Sequence, residues 1–332
     1  MKTIDVHNHF YPEAFLRGIE DHSQAATLSA TPGGERRIQY AGDYSVLDEA
    51  HVNPTKRIED MDRAGVDMQV LSLTVPGVHS EEPERGIELA RLTNDGLAAV
   101  CRDHPDRFRA LATLPTQAPD AAALELERSV RDLGLAGAMI FSNLNGRPLD
   151  DERFYPIYET ALDLGVPLLV HPIAPPSLDN LTDDLRLVAV LGFPIEMTVA
   201  AARLILAGTL DRFPELTFIM GQLAGALPML AERVGRGIEI YPELTDRLAH
   251  PLEHYLRRFY YDTVPYGRIG IPLTYEIAGP DRIMVASDHP HQIGSLDRCA
   301  DVIRGMDIPD AEKAMMLGGN AGRVFGIGQQ QG

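Results

Sequence analysis

Two histidines one residue apart, His7 and His9, flank Asn8 at the end of the apolar run that opens the chain. Alternate residues of a strand face the same side, so both imidazoles can be aimed at one point, which is the spacing of a metal-chelating pair. An HxH pair alone is weak evidence. Two further metal-competent side chains stand in the same kind of place: His171 directly follows the apolar run 166–170, and Asp288 directly follows 283–287. Three neutral imidazoles and one carboxylate suit a single divalent ion, Zn²⁺ or Mn²⁺ first and Fe²⁺ or Co²⁺ after them, with a position left for water or substrate.

Such a set needs a scaffold whose strand ends meet. Strand-like apolar runs occupy 3–6, 66–73, 108–114, 135–141, 166–170, 216–220, 259–262 and 282–286, and most are followed by a segment of helical periodicity. In one of these, Ile87, Ala90, Asn94, Leu97, Ala98 and Cys101 recur at three- and four-residue steps, which predicts a buried stripe that includes Cys101. Helices around 124–133 and 154–164 stop at Gly134 and Gly165, residues suited to a left-handed cap. Buried strands alternating with helices predict an α/β fold, a distorted (β/α)8 TIM barrel, with an open doubly wound sheet as the second choice. In a barrel, strands one and eight are neighbours and every strand end opens on one face, which would unite the four ligands. Long loops are predicted after strands 1 and 5, over 11–54 and 172–194, as substrate walls. No linker or repeat divides the chain, so 1–326 reads as one domain and 327–332 as a flexible tail.

The 332 residues carry 30 Lys+Arg against 48 Asp+Glu, a formal charge of −18. This excludes a nonspecific phosphate-backbone binder and disfavours anionic membrane surfaces. Two cysteines are too few for a disulfide framework, the first residues lack the apolar core of a signal peptide, and the longest apolar stretch, 216–230, is short for a membrane span of about 20 residues. A cytoplasmic protein without membrane or nucleic-acid partners is expected.

Nearly the whole chain resembles the amidohydrolase superfamily, and within it the branch of aminocarboxymuconate semialdehyde decarboxylase and the resorcylate-type decarboxylases. The resemblance is carried by His7, His9, His171 and Asp288, by Arg57-Ile58-Glu59-Asp60-Met61-Asp62 and by Gly192-Phe193-Pro194-Ile195-Glu196-Met197-Thr198. It continues through Tyr261-Asp262-Thr263, Ser287-Asp288-His289-Pro290-His291 and Gly319-Asn320-Ala321. It implies a single divalent metal held by the three histidines and Asp288, a small carboxylate substrate and a homodimer. One departure stands out. Where the branch has Gly-His-x-Gly after strand six, with the histidine as base, this chain reads Gly221-Gln222-Leu223-Ala224. Glutamine cannot take up a proton near neutral pH. The substrate-binding arginine of the muconate enzyme has no counterpart in 45–52.

The function expected is a metal-dependent decarboxylase of an aromatic or unsaturated carboxylic acid. The alternative is a metal-dependent hydrolase of an ester, thioester, lactone or amide, and a non-catalytic binder ranks last. Asp288, Gln222 and His291 are the catalytic candidates. With Gln222 in place of the base, Asp288 is the expected proton carrier. Gln222 either faces the metal site or simply fills the space of a histidine. His291 either lines the pocket or supplies a proton, or else is a solvated loop residue. Asp262 either orients a ligand or makes a structural hydrogen bond, His289 packs near the ligands or supports them from behind, and Arg57 is expected in a structural ion pair ahead of a substrate-carboxylate contact. His22, His51, His79, His104, His250 and His254 read as surface or loop residues, and the acidic pairs 81–82 and 183–184 as solvated faces.

Overall fold

The computed structural model describes residues 2–328 apart from 24, 41–42, 178–180, 182–184 and 265–266. Short parallel strands alternate with helices, so the chain is α/β. Strand β1 (Ile4–His9) pairs with β2 (Met68–Ser72), and β2 pairs with the first part of an interrupted β3 (Phe108–Ala110). The second part of β3 (Ala112–Thr113) pairs with β4 (Ala138–Phe141). The order continues through β5 (Leu168–His171), β6 (Phe218–Met220), β7 (Tyr260–Asp262) and β8 (Ile283–Met284), each parallel to the next. Every residue of β1, β2 and β4 to β8 is buried, as parallel strands covered on both faces require.

Ladder pairing divides these strands into a sheet of three and a sheet of six, and backbone hydrogen bonds cross both seams. Within β3, Leu111 N donates to Leu71 O at 2.9 Å and Ala112 N to Gly137 O at 2.8 Å. Between β8 and β1, Val6 N donates to Val285 O at 3.1 Å, Asp288 N to His7 O at 2.8 Å and His9 N to His289 O at 2.8 Å. The second seam therefore sets Asp288 beside both histidines of β1.

The segment after β1 is not a loop. It folds into helix α1 (Glu13–His22), three antiparallel strands (Ala26–Ala30, Arg36–Tyr40 and Asp43–Val46) and a 3-10 turn, Glu49–His51. Ile38 of the middle strand packs with Tyr11, Phe15, Leu16, Ile19, Leu47 and Leu73 in a small core of its own, which is why this segment holds a shape. Helix α2 (Pro54–Ala64) starts on Asn53, whose side chain accepts from Thr55 N and Lys56 N, with Pro54 where a missing N–H costs nothing.

Helix α3 (Pro83–Asp103) buries Ala90, Asn94, Leu97 and Ala98 as its periodicity predicts, and Leu89 outside that pattern, but Ile87 and Cys101 are only half-buried at the edges of the stripe. Helix α4 (Pro119–Arg131) ends three residues before Gly134, and α5 (Tyr155–Leu164) ends on Gly165. Both glycines are left-handed, at φ 72° and 66°. Val188–Gly192, a π-helical turn, runs into α6 (Phe193–Leu206). The run Val188–Leu206, and not 216–230, is the described helix long and apolar enough, by length and composition, to cross a membrane. Its inner face, Met197, Ala200, Ala201, Leu204 and Ile205, lies in the core, and buried Glu196 accepts from Asn143 Nδ2 at 2.9 Å. The acidic pair 183–184 and most of the expected tail lie outside the described residues.

Gly137, at the entrance to β4, shows how closely the backbones approach. It has φ 145°, and a Cβ there would meet Pro167 O at 2.4 Å. Gly137→Ala is expected to lower stability by roughly 1–3 kcal/mol, read from the denaturant midpoint; an unchanged midpoint would show that the β4–β5 entrance can relax.

Candidate metal centre

The residues united by spacing are also united in space. His7 and His9 leave the end of β1 on one side, His171 ends β5, and Asp288 lies just past β8; their ligand atoms all fall within 4.8 Å of one another, and all four residues are buried. Each ring has an outer partner. His7 Nδ1 hydrogen-bonds Asp262 Oδ2 at the end of β7. His171 Nδ1 donates to Pro172 O at 2.6 Å. His9 Nδ1 meets Ser72 Oγ at 3.4 Å, and Ser72 gives its own proton to Asn8 O at 3.0 Å. These partners place the proton of each neutral ring on Nδ1 and turn three Nε2 lone pairs inward.

The interior is crowded with acceptors. His9 Nε2 lies 3.0 Å from Asp288 Oδ1 and 3.2 Å from His171 Nε2, and His7 Nε2 lies 3.7 Å from Asp288 Oδ1. His7 Nε2 is buried without a hydrogen-bond partner among the described residues. Converging lone pairs repel, and a buried nitrogen left unpaired costs about 1–3 kcal/mol. One divalent cation would answer both, and the three-nitrogen, one-carboxylate donor set can hold it.

The titration behaviour carries the same demand. Burial, then the neighbouring imidazoles, hold His9 well below the ordinary histidine range; burial, then His7, does the same to His171. Burial also works against charge on His7, but Asp262 outweighs it and raises the ring to about 9. Burial lifts the Asp288 carboxyl to about 7 against the pull of His7.

A second layer fixes this cluster to the scaffold. Asp262 Oδ1 accepts from Gln222 N at 2.8 Å and Val264 N at 3.1 Å. Asp5 accepts from Gln69 Nε2 at 2.7 Å, Ser287 Oγ at 2.5 Å and Ser287 N at 3.0 Å, tying β1, β2 and the turn after β8 together. Arg57, expected in an ion pair, is instead a backbone clamp. Its guanidinium is fully buried, lowered to about 9 by that burial, and donates to His9 O at 3.0 and 2.7 Å and to His289 O at 3.1 Å. Gly221 leaves the room the cluster needs, since a Cβ there would meet Val170 O at 2.7 Å.

Above the cluster lies a cavity of about 280 Å³, at the small end for ligand sites of roughly 300–1,000 Å³. Both segments expected as walls contribute. Tyr40, Tyr44, Ser45 and Val46 come from the antiparallel strands, and Pro172, Arg186, Val190 and Phe193 from the stretch after β5. Gln222 lines this cavity, with Oε1 buried and without a hydrogen-bond partner among the described residues. It is the first of three consecutive left-handed residues, Gln222, Leu223 and Ala224 at φ 51°, 56° and 58°. Asp288 is left-handed too, at φ 55°. Strain of about 1–3 kcal/mol per residue persists only where surroundings impose it, as the Gln222 N to Asp262 bond does here.

His291 also lines the cavity, its ring centroid 4.9 Å from that of His9, so it is not a solvated loop residue. His289 packs as expected, its Nε2 3.7 Å from Asp60 Oδ2. Two histidines expected on the surface or in loops lie in turns but are buried: His79 packs 4.6 Å from the Phe141 ring, and His51 touches His291. His250 and His254 are exposed, with rings 4.0 Å apart. The side chain of His22 lies outside the described residues. Sequence reasoning missed Asp5, His51 and Arg186; only His51 carried a local signal, the Asp48-x-x-His51 spacing of a capping box.

Because a cation must displace protons from His7 below about pH 9 and from Asp288 below about pH 7, Mn²⁺ affinity is expected to strengthen as pH rises through this window. The slope is roughly tenfold per pH unit for each proton displaced. Calorimetric titration across the window checks it, and a flat profile would show that the cluster carries no such protons.

Residues 4–327 match the family described as Amidohydrolase. The chain is 28% identical to 2-amino-3-carboxymuconate-6-semialdehyde decarboxylase of Dictyostelium discoideum, over 98% of this chain and 91% of that protein. It is 33% identical to gamma-resorcylate decarboxylase of Polaromonas sp., over 81% of this chain and 86% of that one. Among solved structures it superposes on 5-carboxyvanillate decarboxylase of Novosphingobium aromaticivorans, complexed with manganese and 4-hydroxy-3-methoxy-5-nitrobenzoic acid. That match has TM-score 0.84 and 27% identity, and covers 98% of this chain and 96% of the other. A family match from β1 to the last described turn, over the residues that build the cluster, makes this chain a member of the amidohydrolase family.

Proposed function

We propose that this protein is a metal-dependent decarboxylase that releases CO₂ from a small aromatic or unsaturated carboxylic acid. The observation that carries the reading is the His7, His9, His171 and Asp288 cluster opening into a tyrosine-walled cavity of single-ring size. The relatives named above, decarboxylases of a muconate semialdehyde, a resorcylate and a carboxyvanillate, support it.

The three histidines and Asp288 would hold the ion, with manganese favoured by the carboxyvanillate enzyme's complex and zinc by the donor set. When bound, a divalent ion supplies Lewis-acid chemistry, neutralising and orienting a substrate oxygen. The rest falls to the chain. Asp262, Ser72 and the Pro172 carbonyl hold the imidazoles in register. Arg186, in the cavity wall with its guanidinium 4.5 Å from the Tyr44 ring centre, adds positive charge toward an anionic substrate. Asp288 delivers its proton to the carbon that bears the carboxylate. The carbon–carbon bond then breaks, its electron pair returns to the substrate's π system as CO₂ leaves, and Asp288 regains a proton from solvent. Gln222 donates or accepts a hydrogen bond at the cavity floor but moves no proton. Hydrolysis is the weaker reading for that reason, because an amide stands where a base would take the proton of water.

Release of CO₂ from a panel of hydroxybenzoates and unsaturated acids, with aryl esters alongside, tests the reading. Turnover with Mn²⁺, lost on chelation and restored by the metal, is expected; ester hydrolysis without CO₂ would overturn it. Asp288→Asn is expected to lower kcat by at least about 10²-fold. Full turnover at full metal occupancy in that variant would remove Asp288 as proton carrier.

The same reading takes the eight strands as a closed (β/α)8 barrel within one domain, 1–326. The seam hydrogen bonds and a single large buried core from Ile4 to Phe325 support it, and a crystal structure splayed between β8 and β1 would contradict it. A homodimer is supported by the exposed stripe Val190, Leu191, Ile195 and Val199 on the run Val188–Leu206, which would pack against a second copy and not enter a membrane. Light scattering is expected to give twice the chain mass, and Ile195→Glu to shift it toward one copy; a monomer at every concentration would count against the interface. Free Cys101 and Cys299 fit the cytoplasm, to be checked by fractionation, and the charge of −18 leaves nucleic acid without a footing.

A further inference from the structure

His51 and His291 form a pair that the cluster itself does not explain. His51 ends the turn Glu49–His51 and is only 1% exposed. Asp48 N donates to its Nδ1 at 2.9 Å, while Asp48 Oδ1 accepts from Ala50 N at 2.8 Å, so the turn and the imidazole lock one another. Tyr11 completes the seat. Its N donates to His51 O at 2.8 Å, its ring lies 5.6 Å from the imidazole, and its hydroxyl is anchored on Val75 O.

This seat decides where the protons are. Because His51 Nδ1 accepts a backbone N–H, the neutral ring carries its hydrogen on Nε2, and that atom faces His291 Nδ1 at 3.4 Å. His291 Nδ1 is therefore an acceptor. The hydrogen of His291 then sits on Nε2, at the other edge of a ring that lines the cavity beside Asp288 and Gln222.

We propose that His51 is a positioning residue that fixes His291 as its Nε2–H tautomer, so that His291 offers the bound substrate a hydrogen-bond donor and not a base. The tautomer follows from the geometry alone; that the recognised oxygen belongs to a carboxylate or phenolate rests on the decarboxylase reading. The opposite tautomer would aim a lone pair at that oxygen and repel it, whereas a preset donor meets the negative charge without reorganising. The donation starts at a backbone amide, which has no other protonation state, so the setting does not drift with the side chains around it.

Long-range 1H–15N correlation spectra of histidine-labelled, zinc-loaded protein report the tautomer directly. The unsubstituted protein is expected to show His291 protonated on Nε2 alone. His51→Phe is expected to release it into a mixture, and His51→Gln, whose amide can donate from the same place, to hold it. In turnover, His51→Phe is expected to lower kcat by roughly 10- to 100-fold at unchanged metal content, with His51→Gln recovering most of the loss. A His291 protonated on Nδ1 or on both nitrogens in the unsubstituted protein overturns the assignment even if the Phe variant does not fold. So does a folded His51→Phe with an unaltered His291 spectrum. If the tautomer is as stated and no acid of the panel is turned over, the decarboxylase reading fails and the assignment stands.

Discussion

Three imidazole lone pairs and a carboxylate turned toward one buried point form an arrangement that a protein does not hold without reason. At separations of 3.0 to 3.7 Å, acceptor faces acceptor. The tendency of such a group is to spread or to take up protons, and most of the surrounding polar structure opposes the first while a cation would remove the second. Asp262, Ser72 and the Pro172 carbonyl each spend an outer nitrogen of one ring, which leaves that ring a single way to face. Behind them, Asp5 and Arg57 bind a backbone carbonyl of β1, the Gln69 amide of β2 and the Ser287 hydroxyl in the turn after β8. Two buried charged groups are tolerable in this layer because each holds several hydrogen bonds, Asp5 through both carboxylate oxygens and Arg57 through both terminal nitrogens.

Fold and cluster are one problem at the seam between β8 and β1. Val6 N, Asp288 N and His9 N bridge that seam, and Arg57 ties it again by donating to carbonyls on both sides. A register slip of one residue would turn His7 and His9 to the opposite face. The left-handed residues lie where this precision is needed: Asp288 at the seam, and Gln222, Leu223 and Ala224 beside Asp262. Their strain is the local cost of bringing backbone to the rim of the cluster.

What could be read from the sequence was whatever depends on short spacing. Alternation along a strand placed His7 and His9 on one side, and apolar runs located the strand ends that carry His171 and Asp288. Residues whose role depends on a distant partner were illegible. Arg57 gave an ion-pair expectation because a charge on a helix usually means that, and only the fold shows the two carbonyls it reaches. His51 and His79 looked like loop residues because burial by a separate small core leaves no periodic mark. The stretch 11–54 read as a loop for the same reason: its three strands are short and half-exposed, and only Ile38 among their central residues is fully covered. Cys101 failed differently, since a periodic stripe has edges and the spacing does not say which residue is at one.

The amide at Gln222 bears on which chemistry the cavity favours. A base there would sit over the cluster and draw the proton from water, as hydrolysis requires; the amide of Gln222 can only donate or accept a hydrogen bond, which is why the proposed mechanism gives the proton transfer to Asp288. Carbon protonation needs a group beside the substrate that can pass it a proton, and the Asp288 side chain, in the lining of the cavity, is placed to do so. Substrate charge then matters. A chain of charge −18 repels anions at long range, but that field is screened beyond about 8–10 Å, so a carboxylate that reaches the cavity meets Arg186 and the ion site at close quarters. The global charge thus sets how often an anion arrives, and the local one sets whether it stays.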